Sequence, residues 1–187
     1  MTPSRCGAIL SGVTRAEMLL TMMDEAYSRL RSRLDGLSDD EFFWQPVANF
    51  WTIYQDPQTR RWTYHYAIPD PVPAPVTTIG WQLVHVAACK VMYHEWAFGE
   101  AKLTFPDLDI PGSANGAIAL LEQGQSLLRQ DLAQLDEAQL DHEKKTNWGE
   151  LWPAWRIFWA MLDHDALHGG AIGHLRDLYR WTPGATR

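Results

Sequence analysis

The sequence is poor in cysteine and has no long apolar run. Its 187 residues include two cysteines, Cys6 and Cys89, which are too few for a disulfide framework. No apolar stretch approaches the ~20 residues that a transmembrane helix needs, and no leader-like charged and then apolar segment opens the chain. We therefore expect a reduced, cytoplasmic protein without a membrane partner.

Positive charge is also scarce. Lysine and arginine together number 16, against 23 aspartates and glutamates, and the formal net charge is -7. Nucleic-acid-binding proteins usually carry a clustered basic surface, so we expect no nucleic-acid partner. A chain of this length with 46% hydrophobic residues can bury one sizeable core. The expectation is a single domain over residues 1–187.

What the sequence does contain is apolar residues at helical spacing. The first such segment opens with a Thr14-x-x-Glu17 capping box, and a second box, Ser38-x-x-Glu41, predicts a short helix through Phe43. Four long amphipathic helices predict an all-α, antiparallel four-helix bundle, in which no parallel sheet is expected. The long helices are predicted near residues 14–35, 78–99, 114–135 and 153–180.

The segment from Trp44 to Thr77 is rich in aromatic residues and prolines. The prolines argue against a helix, although Arg61–Tyr66 could form a short edge strand. Its aromatic content favours an ordered loop that packs over one end of the bundle. Two interpretations stay open here, a lid over a substrate pocket and a simple cover.

His164 and His168 are four residues apart in the last predicted helix. That spacing places both imidazoles on one face, one turn apart, where two nitrogens can reach the same cation. The same face carries Ile157, Met161 and Ile172, so both histidines are predicted to point into the core. Buried polar groups need partners, and a metal ion would satisfy both rings at once.

A third metal ligand has to come from elsewhere, and His85 is the best candidate. It lies early in the second long predicted helix, on a face shared with Cys89, Met92 and Trp96. A single inward histidine is more often a hydrogen-bonded core residue, and Cys89 is expected to be a small core residue. Cys89 and His65 are the next candidates if His85 is not the ligand.

The other histidines are expected to lie off the site. His94 and His174 fall on other helix faces, and His142 lies in a charged stretch. Asp163 and Asp165 flank the paired histidines. Either could orient a histidine through its second ring nitrogen, or be a solvated helix residue.

The order of these histidines resembles the DinB-like superfamily. His85 early in one helix is followed by His164-Asp-Ala-Leu-His168-Gly-Gly-Ala-Ile late in the last one. The family is named for a damage-inducible bacterial protein and includes the metal-binding domain of the mycothiol-dependent maleylpyruvate isomerases. The resemblance extends from Thr14 to about Trp181. It implies a divalent metal held by His85, His164 and His168 at one end of the bundle, in a pocket open to water.

Three neutral imidazoles leave open positions on zinc or nickel, where water or a thiol acquires a lower pKa. Family members with known activity act through low-molecular-weight thiols. The resemblance therefore implies a metal-dependent transferase, isomerase or hydrolase that acts on a small-molecule substrate through a thiol or water. Trp51, Trp62 and Tyr64 are expected to line the approach. Gly169 and Ala171 depart from the family pattern, which has arginine and Gln or Glu at these places.

Two alternatives to this enzyme remain. One is a non-catalytic, metal-stabilised bundle that binds a ligand or forms a homodimer. The other takes His164-x-x-x-His168 as a variant of the zinc-protease signature His-Glu-x-x-His, with the shorter Asp165 in place of the glutamate base. No strand-rich protease subdomain is predicted. An acid or base beside a thiol-sized cavity would favour the thiol-dependent enzyme.

Overall fold

The computed structural model describes residues 12–69 and 71–184, so Cys6 lies outside the described part of the chain. The described chain is mostly helical, as predicted, and none of its helices is long and apolar enough to cross a membrane. In chain order the elements are α1 Arg15–Ser32, α2 Asp39–Phe42, β1 Phe50–Trp51, β2 Ile53–Gln55, β3 Trp62–Tyr64, β4 Val76–Thr77, α3 Ile79–Phe98, α4 Ala114–Ala133, β5 Glu143–Lys145, β6 Leu151–Pro153 and α5 Ala154–Trp181.

Several helices begin at capping residues that the sequence already indicated. Thr14 Oγ1 accepts a hydrogen bond from the Glu17 backbone N–H at 3.1 Å, and the Glu17 carboxylate accepts one from the Thr14 N–H at 2.8 Å. These two bonds complete the predicted capping box. Ser38 and Thr78 each cap the next helix through one side-chain hydrogen bond. The bounds of the four long helices agree with their predictions to within about one turn.

The four long helices surround a common core, in which α1 and α3 each pack on both α4 and α5. Contacts between neighbouring helices fix their relative directions. Along the contacts between α1 and α5, and along those between α3 and α4, the residue numbers of both helices increase together, so each of these pairs is parallel. In the pairs α1–α4 and α3–α5 the numbers of one helix increase as those of the other decrease, so these pairs are antiparallel. The parallel contacts are Leu30–Gly169, Arg33–Gly173, Lys90–Gln125 and His94–Asp131; the antiparallel ones are Asp24–Arg129, Arg31–Glu122, Gln82–His168 and Lys90–Asp165.

The expectation of antiparallel helices is therefore wrong for two of these four pairs. The reason is the connection between α3 and α4, residues 99–113, which runs back along α3. Leu108 and Ile110 of this connection are buried in the core, and the Trp96 indole N–H donates to the Leu103 carbonyl at 2.8 Å. A returning connection lets α4 begin at the same end as α3 and run beside it in the same direction.

Three pairs of short strands also correct the all-α expectation. The antiparallel pair β2–β3 lies in the aromatic segment and confirms the strand predicted within Arg61–Tyr66. The antiparallel pair β5–β6 lies where no strand was predicted. β1 and β4 pair in parallel, so the expectation of no parallel sheet is wrong. The β2–β3 hairpin reverses the chain, and the connection from β3 to β4 reverses it again, so that β4 lies beside β1 in the same direction.

Candidate metal centre

The three predicted ligands meet where α3 packs against α5. His85 lies in the second turn of α3, and His164 and His168 lie one turn apart on α5. The ring centroid of His85 is 4.9 Å from that of His168 and 5.9 Å from that of His164, and the two α5 rings are 5.5 Å apart. His168 is buried, whereas His85 and His164 are half-buried. The prediction that both α5 histidines point into the core is therefore accurate only for His168.

Cys89 also belongs to this cluster. One ligand atom each of His85, Cys89 and His164 lies within 4.8 Å of the others, and the Cys89 sulfur is 3.7 Å from His85 Nε2. Cys89 follows His85 by four residues, which places it on the same face of α3. His168 lies beside this group but is not part of it.

The hydrogen bonds of the α5 histidines define which ring nitrogen carries the proton. His164 Nδ1 lies 2.9 Å from the Ala160 backbone carbonyl. Because a carbonyl oxygen only accepts, the neutral ring carries its proton on Nδ1, which donates, and its lone pair on Nε2. His168 Nδ1 donates in the same way to the Gln82 side-chain oxygen. Both rings therefore have the tautomer that a metal ligand needs, with the other nitrogen held by a protein partner.

Burial keeps His85, His168 and Cys89 uncharged at neutral pH. Loss of hydration, with a smaller contribution from His164, lowers the pKa of His85 to about 4. Loss of hydration and then the neighbouring histidines lower the pKa of His168 to about 3. Burial raises the pKa of Cys89 to about 12. Neutral imidazole is the form that binds metal, so two of the predicted ligands are already in that form.

A cavity of about 180 Å³ opens beside His85, Cys89 and His164. Its walls are largely aromatic, and they share three rings with a larger cavity of about 520 Å³ beneath the β2–β3 hairpin. The shared rings are those of Tyr64, Tyr66 and Phe105. The two cavities therefore adjoin. The smaller, inner cavity lies beside the histidines, and the larger, outer cavity lies beneath the hairpin of the aromatic segment.

Of the three residues predicted to line the approach to the metal, the structure brings one beside the histidines. Tyr64 lines the cavity beside the histidines. Trp62 lines only the outer cavity, while Trp51 packs on Trp81, with ring centroids 5.9 Å apart. The Trp81 ring in turn stacks on His85, with ring centroids 4.8 Å apart. Trp51 therefore contacts Trp81, on which His85 stacks, and does not line the cavity.

Sequence reasoning missed two polar residues of the site. Gln82, which holds His168, lies three residues before His85, so helical spacing could have identified it. Asn147 lines the inner cavity together with Trp148. Asn147 and Trp148 lie in the turn between β5 and β6. Nothing in the local sequence indicates that this turn reaches the histidines.

The remaining candidates do not join the cluster. His65 Nδ1 lies 2.9 Å from the Thr52 carbonyl oxygen, so this ring is held by the aromatic segment. His94 pairs with Asp131 at 2.7 Å. His142 and His174 are exposed, as expected.

The flanking acidic residues do not orient a histidine. Asp163 is exposed. Asp165 is buried and binds Lys90 Nζ at 2.7 Å, because α5 turns this side chain toward α3 and α4. Gly169, one of the departures from the family pattern, packs on Leu30 of α1 and not at the histidine cavity.

Comparison with known proteins agrees with the histidine pattern. A family model described as the DinB superfamily matches residues 22–172. No curated protein gives a significant match. The matched segment spans most of the chain and contains His85, His164 and His168. The chain therefore belongs to the DinB superfamily.

Proposed function

We propose that the chain is a metal-dependent enzyme in which His85, His164 and His168 hold a divalent metal, zinc or nickel. It would convert a small-molecule substrate through an activated low-molecular-weight thiol or water. The observation that carries this proposal is the meeting of three imidazoles from two helices, of which His85 and His164 line a cavity. Membership of the DinB superfamily supports it, since these histidines carry the resemblance to that family.

We propose that the four long helices around one core form a four-helix bundle, which holds the two ligand-bearing helices side by side. A single domain acting in the cytoplasm fits this architecture and the absence of a membrane-crossing helix among the described residues.

The donor set fits such a metal. Zinc and nickel accept neutral imidazole nitrogens, and His164 and His168 each present Nε2 while a protein oxygen holds Nδ1. When bound, the metal would act as a Lewis acid that lowers the pKa of a thiol or water in the cavity.

The surrounding residues position the ligands and shape the cavity. Trp81 lies parallel to the His85 ring, with an interplanar angle of 7°, and so fixes its orientation. Tyr64 and Tyr93 give the cavity an aromatic wall that limits water, and Asn147 offers an amide to a polar substrate group. A mostly apolar pocket with few polar groups is typical of small-molecule sites.

A non-catalytic, dimerising bundle is the second candidate. It is favoured by the exposed apolar side chains on the first half of α5, where Trp155 is 38% and Trp159 46% exposed. Large exposed aromatic residues are typical of protein interfaces. The zinc-protease alternative loses support, because Asp165 is engaged with Lys90 and is not available as a base.

The metal content of purified variants tests the site. His85→Ala should lower the metal bound per chain, measured by elemental analysis after loading with zinc or nickel. His94→Ala is a matched control on the same helix, since His94 pairs with Asp131, and should retain the wild-type content. Unchanged metal in His85→Ala would show that this histidine is not a ligand, with Cys89 the next candidate.

Turnover tests the enzymatic part of the proposal. Metal-loaded protein would be assayed with a panel of low-molecular-weight thiols and electrophiles. Thiol-dependent product formation should fall to background in His164→Ala, while His174→Ala on the same helix should keep it. Turnover that survives in His164→Ala would contradict the proposed role of the metal. Absence of turnover in metal-loaded wild-type protein would favour the dimerising bundle.

A further inference from the structure

The cysteine of the histidine cluster has no role in the function proposed above. Cys89 is 7% exposed and lines the inner cavity. Among the described residues, its sulfur makes one hydrogen-bond contact, with His85 Nε2 at 3.7 Å. It lies with His85 and His164 in the one group of potential metal ligands whose atoms are all within 4.8 Å of one another in the described chain.

We propose that Cys89 binds the metal through its sulfur together with the histidines, so that the centre has mixed nitrogen and sulfur ligands. This inference rests on the metal site of the proposed function and adds a ligand to it. On binding, the thiol releases its proton to solvent and the sulfur donates an electron pair to the metal, with no change in oxidation state. The positive charge of the metal offsets the cost of a buried thiolate.

Other positive charges near Cys89 are engaged elsewhere. Lys90 follows it in the chain, but the Lys90 ammonium donates to Asp165 and Gln125 on the inner side of α3. His85 and His164 are the nitrogen ligands that lie beside the sulfur. A cation shared with these two imidazoles is the partner that this arrangement offers a thiolate.

A sulfur ligand changes which metals the site should take. Thiolates favour zinc, cobalt and nickel, whereas magnesium and manganese favour oxygen ligands. The number of ligands also matters, because structural zinc sites usually have four protein ligands and catalytic ones three. Cys89 together with three histidines would give four, so its role bears on the choice between the two functions proposed above.

Cobalt(II) is the probe, because a cobalt–thiolate bond gives a sulfur-to-metal charge-transfer band in the near ultraviolet. The metal-free, full-length protein would be titrated with cobalt alone. We expect the band in wild-type protein and in Cys6→Ser, and its loss in Cys89→Ser and Cys89→Ala, with circular dichroism confirming that each variant is folded. Since the chain has two cysteines, a band that persists in Cys6→Ser must come from Cys89 even if the Cys89 variants do not fold.

The outcomes separate this inference from the proposed function. Cobalt that binds to wild-type protein without the charge-transfer band would overturn the role of Cys89 and leave a histidine site. A band that persists in Cys89→Ser would overturn it as well. If wild-type protein binds neither cobalt nor zinc, the proposed metal site is wrong, and the ligand role of Cys89 falls with it.

Discussion

At the scale of single residues, the core contains a charged pair next to the ligands. Lys90 is 0% and Asp165 1% exposed, and their side chains are 2.7 Å apart. Burial lowers the pKa of Lys90 and raises that of Asp165, while each charge opposes the shift of its partner. Because Lys90 follows Cys89 and Asp165 follows His164, the pair fixes the two ligand-bearing helices against each other.

Breaking this pair should be costly. Lys90→Met should lower the free energy of unfolding by about 3–5 kcal/mol, because Asp165 would keep a buried charge without a partner. The double variant Lys90→Met/Asp165→Val should recover most of that loss, since two apolar side chains replace the charges without a large change in volume. Urea unfolding of the metal-free protein measures these differences.

An exposed ion pair provides the control for that experiment. Arg29 and Glu25 pair at 3.1 Å on the surface of α1, and Arg29→Met should change stability by less than about 1 kcal/mol. If Lys90→Met were as stable as Arg29→Met, the buried pair would have no special role in the core.

At the scale of elements, the β2–β3 hairpin is held over the cavities by the connection between α3 and α4. Trp62 lies so close to Gly112 that a Cβ there would overlap its indole ring. Trp62 also packs on Phe43, with ring centroids 5.7 Å apart. Arg61 donates a hydrogen bond to the Leu108 carbonyl at 3.1 Å. Gly112 therefore leaves the space in which the hairpin docks.

Gly112→Ala should loosen the hairpin, because the rigid indole of Trp62 cannot move without its strand. Such overpacking typically costs about 1–3 kcal/mol. Trypsin should then cleave faster after Arg60 or Arg61 in the hairpin turn, as measured by peptide mass mapping. Gly170→Ala is the matched control, since no atom lies within 4 Å of its added Cβ. Equal cleavage of the two variants would contradict this account of the docking.

Elements differ in how well the sequence predicts them. The helix bounds could be predicted, because apolar spacing and capping residues such as Thr14 and Thr78 act within a few positions. The strands have two or three residues each, too few for a periodic pattern, and they depend on main-chain partners far along the chain. Helix direction depends on the path of residues 99–113, which apolar spacing does not report.

The same distinction applies to the site. His164 and His168 could be predicted to lie together because their spacing is local, whereas His85 was indicated by the apolar face of its helix and by the family resemblance. The expectation that Cys89 lies in the core is confirmed, but burial of a cysteine does not by itself show that its sulfur also lies beside two histidines. Asn147 comes to the cavity through the β5–β6 turn, so only the tertiary structure shows its place.

At the scale of the whole molecule, the uncharged histidines couple folding to pH. In the metal-free protein, His85 and His168 have pKa values of about 4 and 3, whereas an unfolded histidine titrates near about 6.5. Between these values the unfolded chain binds more protons than the folded one, so stability rises with pH. The contribution of each histidine is fully present above about pH 6.5 and is lost as pH falls toward its folded pKa.

We therefore expect the metal-free protein to lose stability as pH falls from about 6.5 to 5, by up to about 2 kcal/mol for each of the two histidines. Urea unfolding in the presence of a chelator, repeated across this range, gives the slope of the free energy against pH. The double variant His85→Gln/His168→Gln should flatten that slope, because it removes both groups that protonate only on unfolding. His174→Gln should leave it unchanged, since His174 is exposed. A slope that is the same in wild-type protein and in the double variant would show that other groups couple folding to pH.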